Sequence, residues 1–563
     1  MLVTHDNFAD CISKISNRPR LAVDLETTGL NSHSIPKQAV IAGIAVYNGE
    51  ETFYFPYNHT GGRNLVLDSL RILLDILSNS RRIDNHNIKF DMLFLLNAGM
   101  KKLPPVVDSM FGVYLYNENR SKALKACAKD FLGEDSDKEE QELMYLLSSW
   151  GYDKAEMWRM PPDFVAPYAE KDTILAWKMV DLLEGKLPTH LRELWDELNY
   201  LSNVVTEMEF KGLLVDSNIL NAHESEARLA SFLLERRIRE SNQGLNPSSP
   251  SAIAKRFGLP DSKEETLLLH KSKAGVSDIL EHRWWSKAVN TYYGPYRTEW
   301  MDKEGVIHPS FKVTGTVSGR FSCADPNLQA VPRYSPQQKV KDVFVARPGT
   351  IFAEIDYSQA EIRVAAHYTK EESIIDAIRQ GKDIHQTVAD AAGIDRQTAK
   401  TINFATIYGA GAKRLAEQLN VTVAQAQKFL NKYNETYPGY KRTSRQAQDV
   451  ASSRMFVEFW NRRRRNYNER DSEPHTAFNQ IIQGGVGQMV IRTMCKLHKE
   501  LPEFGLRVQI HDSFLAEVQS ETSRDIIAEA QRIMHDQPQF CTPMTTDVKT
   551  GSSWGGLSKY AVK

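Results

Sequence analysis

The sequence lacks the features that would place it in a membrane or in an oxidising compartment. No apolar run reaches the roughly 18 residues that a membrane span needs. The five cysteines are scattered without a CxxC pair, which indicates neither a zinc site nor a disulfide framework. The first residues, MLVTHDNFADCISK, resemble neither a secretory signal nor an organellar presequence. We therefore expect a soluble, cytoplasmic protein with no membrane partner.

The chain also lacks an overall excess of charge, since its formal net charge is -1. An enzyme that binds a phosphate backbone nevertheless needs only a local basic lining. Such a lining is found between positions 312 and 347, where the basic residues outnumber the acids Asp325 and Asp342. The basic residues are Lys312, Arg320, Arg333, Lys339, Lys341 and Arg347. Net charge therefore does not exclude nucleic acid as a partner.

At 563 residues the chain is long enough for roughly three to five packed units. Residues 1–180 alternate β-rich runs with helical stretches, which is typical of an α/β domain. We expect a boundary near Gly185 to Pro188, followed by an amphipathic helix that Gly212 would end. Residues 213–305 have a mainly helical pattern, and strands and helices mix again after them.

Acidic residues in the first 180 positions suggest a cation site. In LAVDLETTGL a strand with alternating faces would place Asp24 and Glu26 on one side. HNIKFDMLFLL adds Asp91 near a helix start, and PYAEKDTILAW adds Tyr168 and Asp172 one helical turn apart. Ordinary explanations also exist. Asp24 and Glu26 could be solvated acids at a strand end, Asp91 a first-turn partner of the helix dipole, and Tyr168 a half-buried aromatic residue.

Together these five residues resemble the motifs of a DEDD-type 3′-5′ proofreading exonuclease with a tyrosine in its third motif. The resemblance covers about residues 20–180 and implies a ribonuclease H-like α/β domain. It implies that the four acids hold two Mg²⁺ ions, with Mn²⁺ as an alternative, for phosphodiester hydrolysis. Tyr168 would orient the attacking water. Since all the motif acids are present, we expect an active exonuclease.

Two stretches in the second half of the chain place aspartates at the ends of strands. TIFAEIDYSQAEIRVAAHY predicts a strand that ends at Asp356 and turns into a helix, where a metal ion can reach the carboxylate. Ser358 and Glu361 also fit a capping box, in which Glu361 would merely bond to the helix N-terminus. LRVQIHDSFLAEV predicts two strands joined at His511 and Asp512, although aspartates are common in ordinary turns.

A third stretch, DRQTAKTINFATIYGAGAKRLAEQL, predicts a helix with residues spaced by four on one slowly winding face. These residues are Arg396, Lys400, Phe404 and Tyr408. Asp395 is the expected N-cap, and the glycines after Tyr408 are placed to end or kink the helix. Without further context this would be a surface helix with a mixed face.

These three stretches resemble motifs A, C and B of the family A DNA polymerases, the group of bacterial polymerase I and its phage relatives. Further matches lie in TGTVSGRFSCADPNLQAVP, GKDIHQ, NQIIQGG and DVKTGSSW, so the resemblance covers nearly the whole carboxy-terminal region. It implies that Asp356, Tyr357 and Asp512 hold two Mg²⁺ ions for nucleotidyl transfer. Two residues depart from the family pattern: Ser513 replaces the usual Glu, and His475 replaces the usual Arg.

The resemblance also assigns binding residues, and Glu361 among them would block a ribose 2′ hydroxyl. The expected nucleotide-binding residues are Arg396, Lys400, Phe404, Tyr408, Glu361, His385 and Gln359. The expected DNA-binding residues are Arg320, Asn479, Gln483, His511, Arg462 and Arg463. The run from Arg462 to Arg465 is alternatively a solvated charge run or a localisation signal. Beside the catalytic motifs we favour contact with the DNA backbone.

The implied architecture is an exonuclease domain over residues 1–187 and a right-hand polymerase domain, α+β with an antiparallel palm sheet, over residues 188–563. The thumb would span about 190–305, the palm about 306–375 and 476–563, and the fingers about 376–475. The implied function is DNA replication on primer-template DNA from deoxynucleoside triphosphates, with proofreading. A 5′ nuclease domain has no room before residue 20, so we expect another protein to remove primers and this chain to be a standalone replicative enzyme of the kind that a phage encodes, not a general repair enzyme. A processivity factor, a helicase or a primase is a candidate partner.

Two other functions stay open at this stage. A single-subunit RNA polymerase has related palm motifs, and Glu361 is the residue that discriminates against it. Equal incorporation of ribo- and deoxyribonucleotides would favour that alternative. A DNA-binding structural factor with dead catalytic sites would not need the catalytic acids and the triphosphate cations, all of which are in place.

Overall fold

The computed structural model describes residues 1–31, 38–133, 136–332, 339–468 and 474–560. Arg333 of the basic stretch lies outside these residues. The amino-terminal region contains a mixed sheet of the strands β1 (Leu21–Thr27), β2 (Ile41–Tyr47), β3 (Thr52–Pro56), β4 (Ile83–Asn85) and β5 (Val106–Asp108). Their order is β3-β2-β1-β4-β5, with β1 antiparallel to β2 and parallel to β4.

Helices surround this sheet, and both faces of β1 and β2 are therefore largely apolar and buried. The helices are α1 (Phe8–Ser16), α2 (Leu67–Ser78), α3 (Ile88–Asn97), α4 (Ser109–Tyr116), α5 (Leu124–Leu132), α6 (Lys138–Trp150) and α7 (Pro162–Lys186). The longest, α7, packs against β1 and β2. The predicted α/β character of this region is confirmed.

The expected boundary falls between two long helices. Helix α7 ends at Lys186, and α8 (Thr189–Lys211) begins three residues later. Gly212 ends α8 with a φ of 52°, and a Cβ at that position would lie 2.6 Å from the Ile307 carbonyl oxygen. The predicted amphipathic helix is confirmed, since its apolar stripe is buried: Leu194, Leu198, Leu201, Val205 and Met208.

The next region is mainly helical, as the sequence predicted. Its helices are α9 (Ser217–Ser241), α10 (Pro250–Phe257), α11 (Glu264–Leu269) and α12 (Val276–Lys287), followed by π-helical turns over Ala288–Tyr293 and Tyr296–Trp300. Short paired strands frame it and lead into the rest of the chain: β6 (Leu213–Leu214) with β7 (Val306–Ile307), and β8 (Ser310–Lys312) with β9 (Ser322–Ala324).

A second, antiparallel sheet lies at the centre of the carboxy-terminal region. The remaining strands are β10 (Thr350–Tyr357), β11 (Phe456–Glu458), β12 (Arg464–Asn466), β13 (Leu506–Ile510), β14 (Ser513–Gln519), β15 (Thr546–Gly551) and β16 (Ser558–Lys559). The sheet order is β13-β14-β10-β15-β16, whereas β11 and β12 form a separate hairpin. The predicted antiparallel sheet is confirmed, with β10 in its middle.

The helices of this region lie mostly between β10 and β11 in the sequence. They are α13 (Ala360–Thr369), α14 (Glu372–Arg379), α15 (Ile384–Ala392), α16 (Arg396–Ile407), α17 (Ala412–Leu419), α18 (Val423–Thr436), α19 (Pro438–Arg454), α20 (Ala477–Glu500) and α21 (Ser523–His535). Helix α20 packs against α8, α13 and α19. In the part of the chain that the structure describes, no helix is long and apolar enough to cross a membrane.

Buried polar contacts join the amino-terminal region to the β11–β12 hairpin. Glu118 is 3% exposed, and its carboxylate pairs with Arg465 at 3.0 Å. The backbone N–H and side-chain amide of Asn466 donate to the same carboxylate at 2.7 and 2.8 Å. Removing one partner of such a buried pair is unfavourable by about 3–5 kcal/mol, so this contact holds the two regions together.

Candidate active sites

The amino-terminal acids meet on one face of β1. Asp24 and Glu26 are alternate residues of the strand and therefore point the same way. Glu26 is 6% exposed, and loss of hydration raises the pKa of both carboxyl groups. Because these acids are buried, they are not the solvated acids at a strand end that the sequence left as an alternative.

Two helices bring the other three residues of this set to the same place. Asp91 lies in the first turn of α3, and its Oδ1 accepts a hydrogen bond from the Leu25 backbone N–H at 3.0 Å. Tyr168 and Asp172 are one turn apart on α7, both are buried, and their side chains are hydrogen-bonded. Asp91 and Asp172 both interact with Asp24, so the structure brings all five predicted residues together.

Burial and mutual repulsion act on these acids in the same direction. Loss of hydration is the largest cause that raises the pKa of Glu26 to about 8, and repulsion by Asp172 is the next. Burial and then the charge of Asp91 raise the pKa of Asp24 well above its ordinary value. A divalent cation would relieve this repulsion, which is why such a cluster favours one.

Two lysines that the motifs do not include also enter this cluster. Lys125 on α5 forms an ion pair with Asp172, and its Nζ lies 4.9 Å from the ring centroid of Tyr168. Lys154 approaches the same ring at 5.0 Å, but its ammonium is paired with Glu140. Sequence spacing gave no signal for either lysine, because their positions depend on how separate segments pack against α7.

The second centre lies at the end of β10. Strands β13 and β14 form the predicted hairpin, with His511 and Asp512 in its turn, and His511 is exposed with a φ of 56°. The Tyr357 backbone N–H donates to the Asp512 carbonyl oxygen at 3.1 Å. This bond places Asp512 beside the last residues of β10, where Asp356 lies.

Asp356 and Asp512 affect each other electrostatically. Loss of hydration raises the pKa of Asp356 to about 7, and the charge of Asp512 is the next cause. Burial also raises the pKa of Asp512, while Arg320 opposes that rise. Burial and mutual repulsion make ionisation of this pair unfavourable, and a bound divalent cation would offset both effects.

Position 513 does not supply a third acid to this centre. Ser513 is 6% exposed, and its Oγ donates to the Ile510 carbonyl oxygen at 3.1 Å. In the sheet register Asp356 lies opposite Ser513 on one side and opposite Asp547 on the other. Opposite residues of antiparallel strands share one face, so Asp547 is a third carboxylate beside Asp356. Motif comparison missed it, although DVKTGSSW contains it.

Tyr357 was predicted to hold metal ions together with Asp356 and Asp512, but its side chain does not lie in this centre. Its hydroxyl is buried on the other side of the sheet, hydrogen-bonded to Thr493 Oγ1 and the Met534 carbonyl oxygen at 2.9 Å each. Alternation along β10 gives Tyr357 the face opposite to Asp356. Only the backbone of Tyr357 is therefore available to a cation.

Glu361 belongs to the site and not to a capping box. The N-cap of α13 is Gln359, which makes no side-chain capping bond. Glu361 instead accepts hydrogen bonds from Arg320 Nη2 at 2.6 Å and from the Tyr408 hydroxyl at 2.7 Å. Three separate stretches of the chain are joined through this one carboxylate. Arg320, expected at DNA, is thus engaged inside the protein.

Helix α16 presents the predicted face. Asp395 caps it, accepting hydrogen bonds from the backbone N–H groups of the next turn at 3.0 Å, as predicted. Arg396, Lys400 and Tyr408 are exposed, and Phe404 is half-buried. The rings of Phe404 and Tyr408 are stacked with centroids 6.1 Å apart. The helix therefore offers two cations and two stacked rings to a ligand.

Two neighbours modify this face. Arg396 Nη2 lies 2.7 Å from Asp383 Oδ2, so part of its charge is compensated. His385, predicted to touch phosphates, is instead 3% exposed and hydrogen-bonded to the Asn403 side chain at 3.0 Å. Burial lowers the pKa of His385 and so favours its neutral form. His385 therefore packs between α15 and α16 in this structure, and its contact with phosphates stays a prediction.

Several of the predicted binding residues carry buried polar atoms with no hydrogen-bond partner among the described residues. These atoms are Gln359 Oε1, Asn479 Oδ1 and Arg320 Nε. Leaving such a group unpaired is unfavourable by about 1–3 kcal/mol, so a polar ligand that reaches them would be stabilised. Gln483 is hydrogen-bonded to Tyr408 at the edge of the same surface.

The predicted DNA-backbone contact is wrong for Arg463. Its side chain is 2% exposed and lies over the rings of Tyr114 and Phe459, with centroid distances of 4.7 and 5.7 Å. Arg462 is exposed and borders a cleft with His190 and other residues. The basic run therefore packs the two regions together, and only part of it faces solvent.

Both centres have the donor chemistry that Mg²⁺ or Mn²⁺ requires, since carboxylate oxygens predominate in each. Within the described ranges, no three His, Cys, Asp or Glu side chains are arranged so that they could hold a metal ion as they stand. Lys125 holds Asp172 in one centre, and the Ser358 hydroxyl donates to Asp547 at 2.7 Å in the other. The residues fit divalent cations, and some side chains would turn to bind them.

Comparison with known proteins defines the class of this chain. Residues 225–556 match the model of DNA polymerase family A, and residues 1–188 match a 3′-5′ exonuclease model. The first match alone covers more than half of the sequence. The chain belongs to DNA polymerase family A.

Curated relatives and a solved structure agree with this class. The chain is 26% identical to DNA polymerase I of Borreliella burgdorferi, over 99% of this chain and 64% of that protein. It is 27% identical to DNA polymerase I of Pseudomonas aeruginosa, over 96% and 64% respectively. The chain thus spans somewhat less than two thirds of these relatives. A solved structure of the POL domain of Pol1 from M. smegmatis, in complex with DNA primer-template and dNTP, has the same fold, with a TM-score of 0.82. The two sequences are 21% identical, and the match covers 98% of this chain and 99% of that one.

Proposed function

We propose that this chain is a template-directed DNA polymerase that also removes misincorporated nucleotides with a 3′-5′ exonuclease. The observation that carries the proposal is the carboxylate pair Asp356 and Asp512, which β10 and the β13–β14 hairpin bring together. Membership of the family supports the reaction type. Primer-template DNA and deoxynucleoside triphosphates are the proposed substrates, and DNA replication is the proposed role.

At the polymerase centre, Asp356 and Asp512 would hold two Mg²⁺ ions, with Asp547 as a third carboxylate nearby. Bound cations would favour ionisation of the primer 3′ hydroxyl and balance the charge of the departing pyrophosphate. Arg396 and Lys400 would bind the triphosphate oxygens, because both are exposed on one face of α16.

Selection of the sugar is assigned to Glu361. Arg320 and Tyr408 hold its carboxylate from two sides, so it cannot move aside easily. A rigid carboxylate at that place would exclude a ribose 2′ hydroxyl by its volume and charge. This geometry favours a DNA polymerase over the RNA polymerase alternative.

At the exonuclease centre, the cations would be held by Asp24, Glu26, Asp91 and Asp172. Tyr168 is hydrogen-bonded to Asp172 and would orient the attacking water towards the phosphorus. We assign this chemistry to residues 1–187 and polymerisation to residues 188–563. The palm is assigned to the antiparallel sheet, the fingers to the helices around α16, and the thumb to the helical region after α8.

A primer-extension assay tests both assignments in one experiment. We expect Asp356→Ala to abolish synthesis and to spare degradation of the primer, and Asp24→Ala to do the reverse. Each variant is the folding control of the other. Normal extension by Asp356→Ala would exclude the polymerase assignment, and equal use of ribo- and deoxyribonucleotides would favour an RNA polymerase.

A further inference from the structure

Lys125 occupies an unusual position for a lysine. Its side chain is only 15% exposed, and its ammonium pairs with Asp172, a proposed cation ligand that is itself 10% exposed at the side chain. The same ammonium lies 4.9 Å from the ring centroid of Tyr168. Its charge also acts on Asp24 and Glu26. Lys125 is therefore part of the interior of the acidic cluster.

The surroundings of Lys125 distinguish it from an ordinary surface counter-ion. Lysine is rarely buried unless it is paired, because removing an ammonium from water is unfavourable. Lys154, which approaches Tyr168 from a comparable distance, is already paired with Glu140 outside the four-acid set. Of these two lysines, only Lys125 is bonded directly to one of the four acids.

Charge balance indicates what this ammonium does when substrate is present. Two divalent cations would balance the four ionised carboxylates, and neither the acids nor the cations would then offset the charge of the scissile phosphodiester. That group carries one negative charge, and attack by water adds negative charge to its non-bridging oxygens. A preformed cation beside this position would stabilise the transition state more than the ground state.

We propose that Lys125 is a catalytic residue of the exonuclease that donates a hydrogen bond to a non-bridging oxygen of the scissile phosphate. Asp172 would turn to a bound divalent cation, and the Lys125 side chain, no longer paired with it, would then reach a phosphate beside Tyr168. The oxygen of water bonds to phosphorus and the bond from phosphorus to the 3′ oxygen breaks. The proton lost by water is balanced by the proton gained by the 3′ oxygen, and Lys125 takes no part in this proton transfer. This inference rests on the proposed exonuclease function.

Direct contact is tested by binding, with Ca²⁺ in place of Mg²⁺ and the full chain as the protein. The probes are two fluorescent single strands, one with an ordinary terminal phosphodiester and one with an uncharged methylphosphonate at that linkage. We expect Lys125→Met to weaken binding of the ordinary strand about 10-fold, as expected for a charge-assisted hydrogen bond. The methylphosphonate should weaken binding by the wild type by a similar factor. It should hardly change the affinity of the Lys125→Met variant, which has already lost the contact.

A matched control is Lys129→Met, which lies one turn further along α5 at an exposed position. It should behave like the wild type with both strands. The proposal would be overturned if the combined loss of affinity, measured for Lys125→Met with the methylphosphonate strand, equalled the product of the two separate losses. Independent effects of this kind would mean that Lys125 does not contact the phosphate.

Rates give a second measurement. We expect Lys125→Met to slow single-turnover degradation in Mg²⁺ about 100-fold, and Lys125→Arg to recover part of that loss. Primer extension by Lys125→Met should equal that of the wild type, which shows that the variant is folded. Degradation by Lys125→Met at the wild-type rate would refute only the role of Lys125. A wild-type chain that degrades no strand would instead refute the proposed exonuclease and this inference with it.

Discussion

The two acidic centres of this chain handle the same repulsion in different ways. In the amino-terminal centre, a strand and two helices enclose the acids, and Lys125 enters among them. In the carboxy-terminal centre, the carboxylates lie at the end of β10 and on its flanking strands, and Asp547 is exposed. Arg320 opposes the pKa rise of Asp512 from one side. The first centre thus encloses its acids more fully, and the second brings its acids together through the register of a sheet.

The largest effect should come from the carboxylates of the second centre. We expect Asp512→Asn to reduce nucleotide incorporation on the order of 10³-fold, because it removes one of the two proposed cation ligands. Asp547→Asn should reduce it only about 10-fold, since Asp547 is exposed and a lesser influence on Asp356. Single-turnover incorporation in Mg²⁺ measures both rates.

Exonuclease activity is the control for these two variants, because its acids belong to the other centre. It should be unchanged in each. If the two variants lose the same factor in incorporation rate, Asp547 is a cation ligand of equal importance to Asp512. The centre would then contain three equivalent acids and not a primary pair with a flanking acid.

An intermediate effect concerns stability and pH without divalent cations. The pKa of Glu26 rises from 4.5 to about 8 on folding, so the folded chain binds this proton more tightly than the unfolded chain. The stability that Glu26 contributes is therefore fully present below pH 4.5 and is lost as the pH rises through 8. For Asp356 the corresponding loss is complete near pH 7 and not near pH 8.

Thermal unfolding in EDTA between pH 5 and pH 9 measures this difference. Glu26→Gln should gain stability relative to the wild type as the pH rises to about 8, whereas the gain of Asp356→Asn should level off about one pH unit lower. Mg²⁺ should reduce both gains, since it stabilises the wild-type carboxylates. If the two variants show the same pH profile, the centres do not differ in enclosure as described.

The smallest effect should come from the ion pair at the proposed triphosphate site. Arg396 and Asp383 are 48% and 40% exposed, so their pair is worth about 0–1 kcal/mol. Asp383→Asn keeps a capping side chain on α15 and frees Arg396, which should lower the KM for nucleotide by at most about 5-fold. Asp390→Asn on the same helix should change nothing. A higher KM for Asp383→Asn would mean that the pair helps to position Arg396.

Local patterns predicted much of the fold, and the resemblance to known motifs gave most of the candidate site residues. Alternation placed Asp24 and Glu26 on one face of β1, and the apolar stripe of α8 with Gly212 gave a complete helix. Two alternating runs separated by His511 and Asp512 gave a hairpin with the acid in its turn. These features depend on neighbouring residues and on backbone periodicity, which the sequence displays directly.

Other predicted positions differ from those in the structure because distant segments compete for the same side chains. Arg463 was expected on DNA, but Tyr114 from the amino-terminal region covers it. His385 was expected at phosphates, but Asn403 holds it inside. A charged or polar side chain pairs with the partner that packing brings to it, and spacing along the chain does not reveal that partner.

By itself, the sequence determined the strands, the helices, the two sets of motif acids and the order in which they occur. Only the tertiary structure decided which groups stand beside those acids. It placed Lys125 against Asp172, Asp547 opposite Asp356, and Arg320 with Tyr408 on Glu361. The physical reason is that electrostatic and hydrogen-bonding partners are chosen by proximity in space, and proximity across sheets and between helices is set by packing.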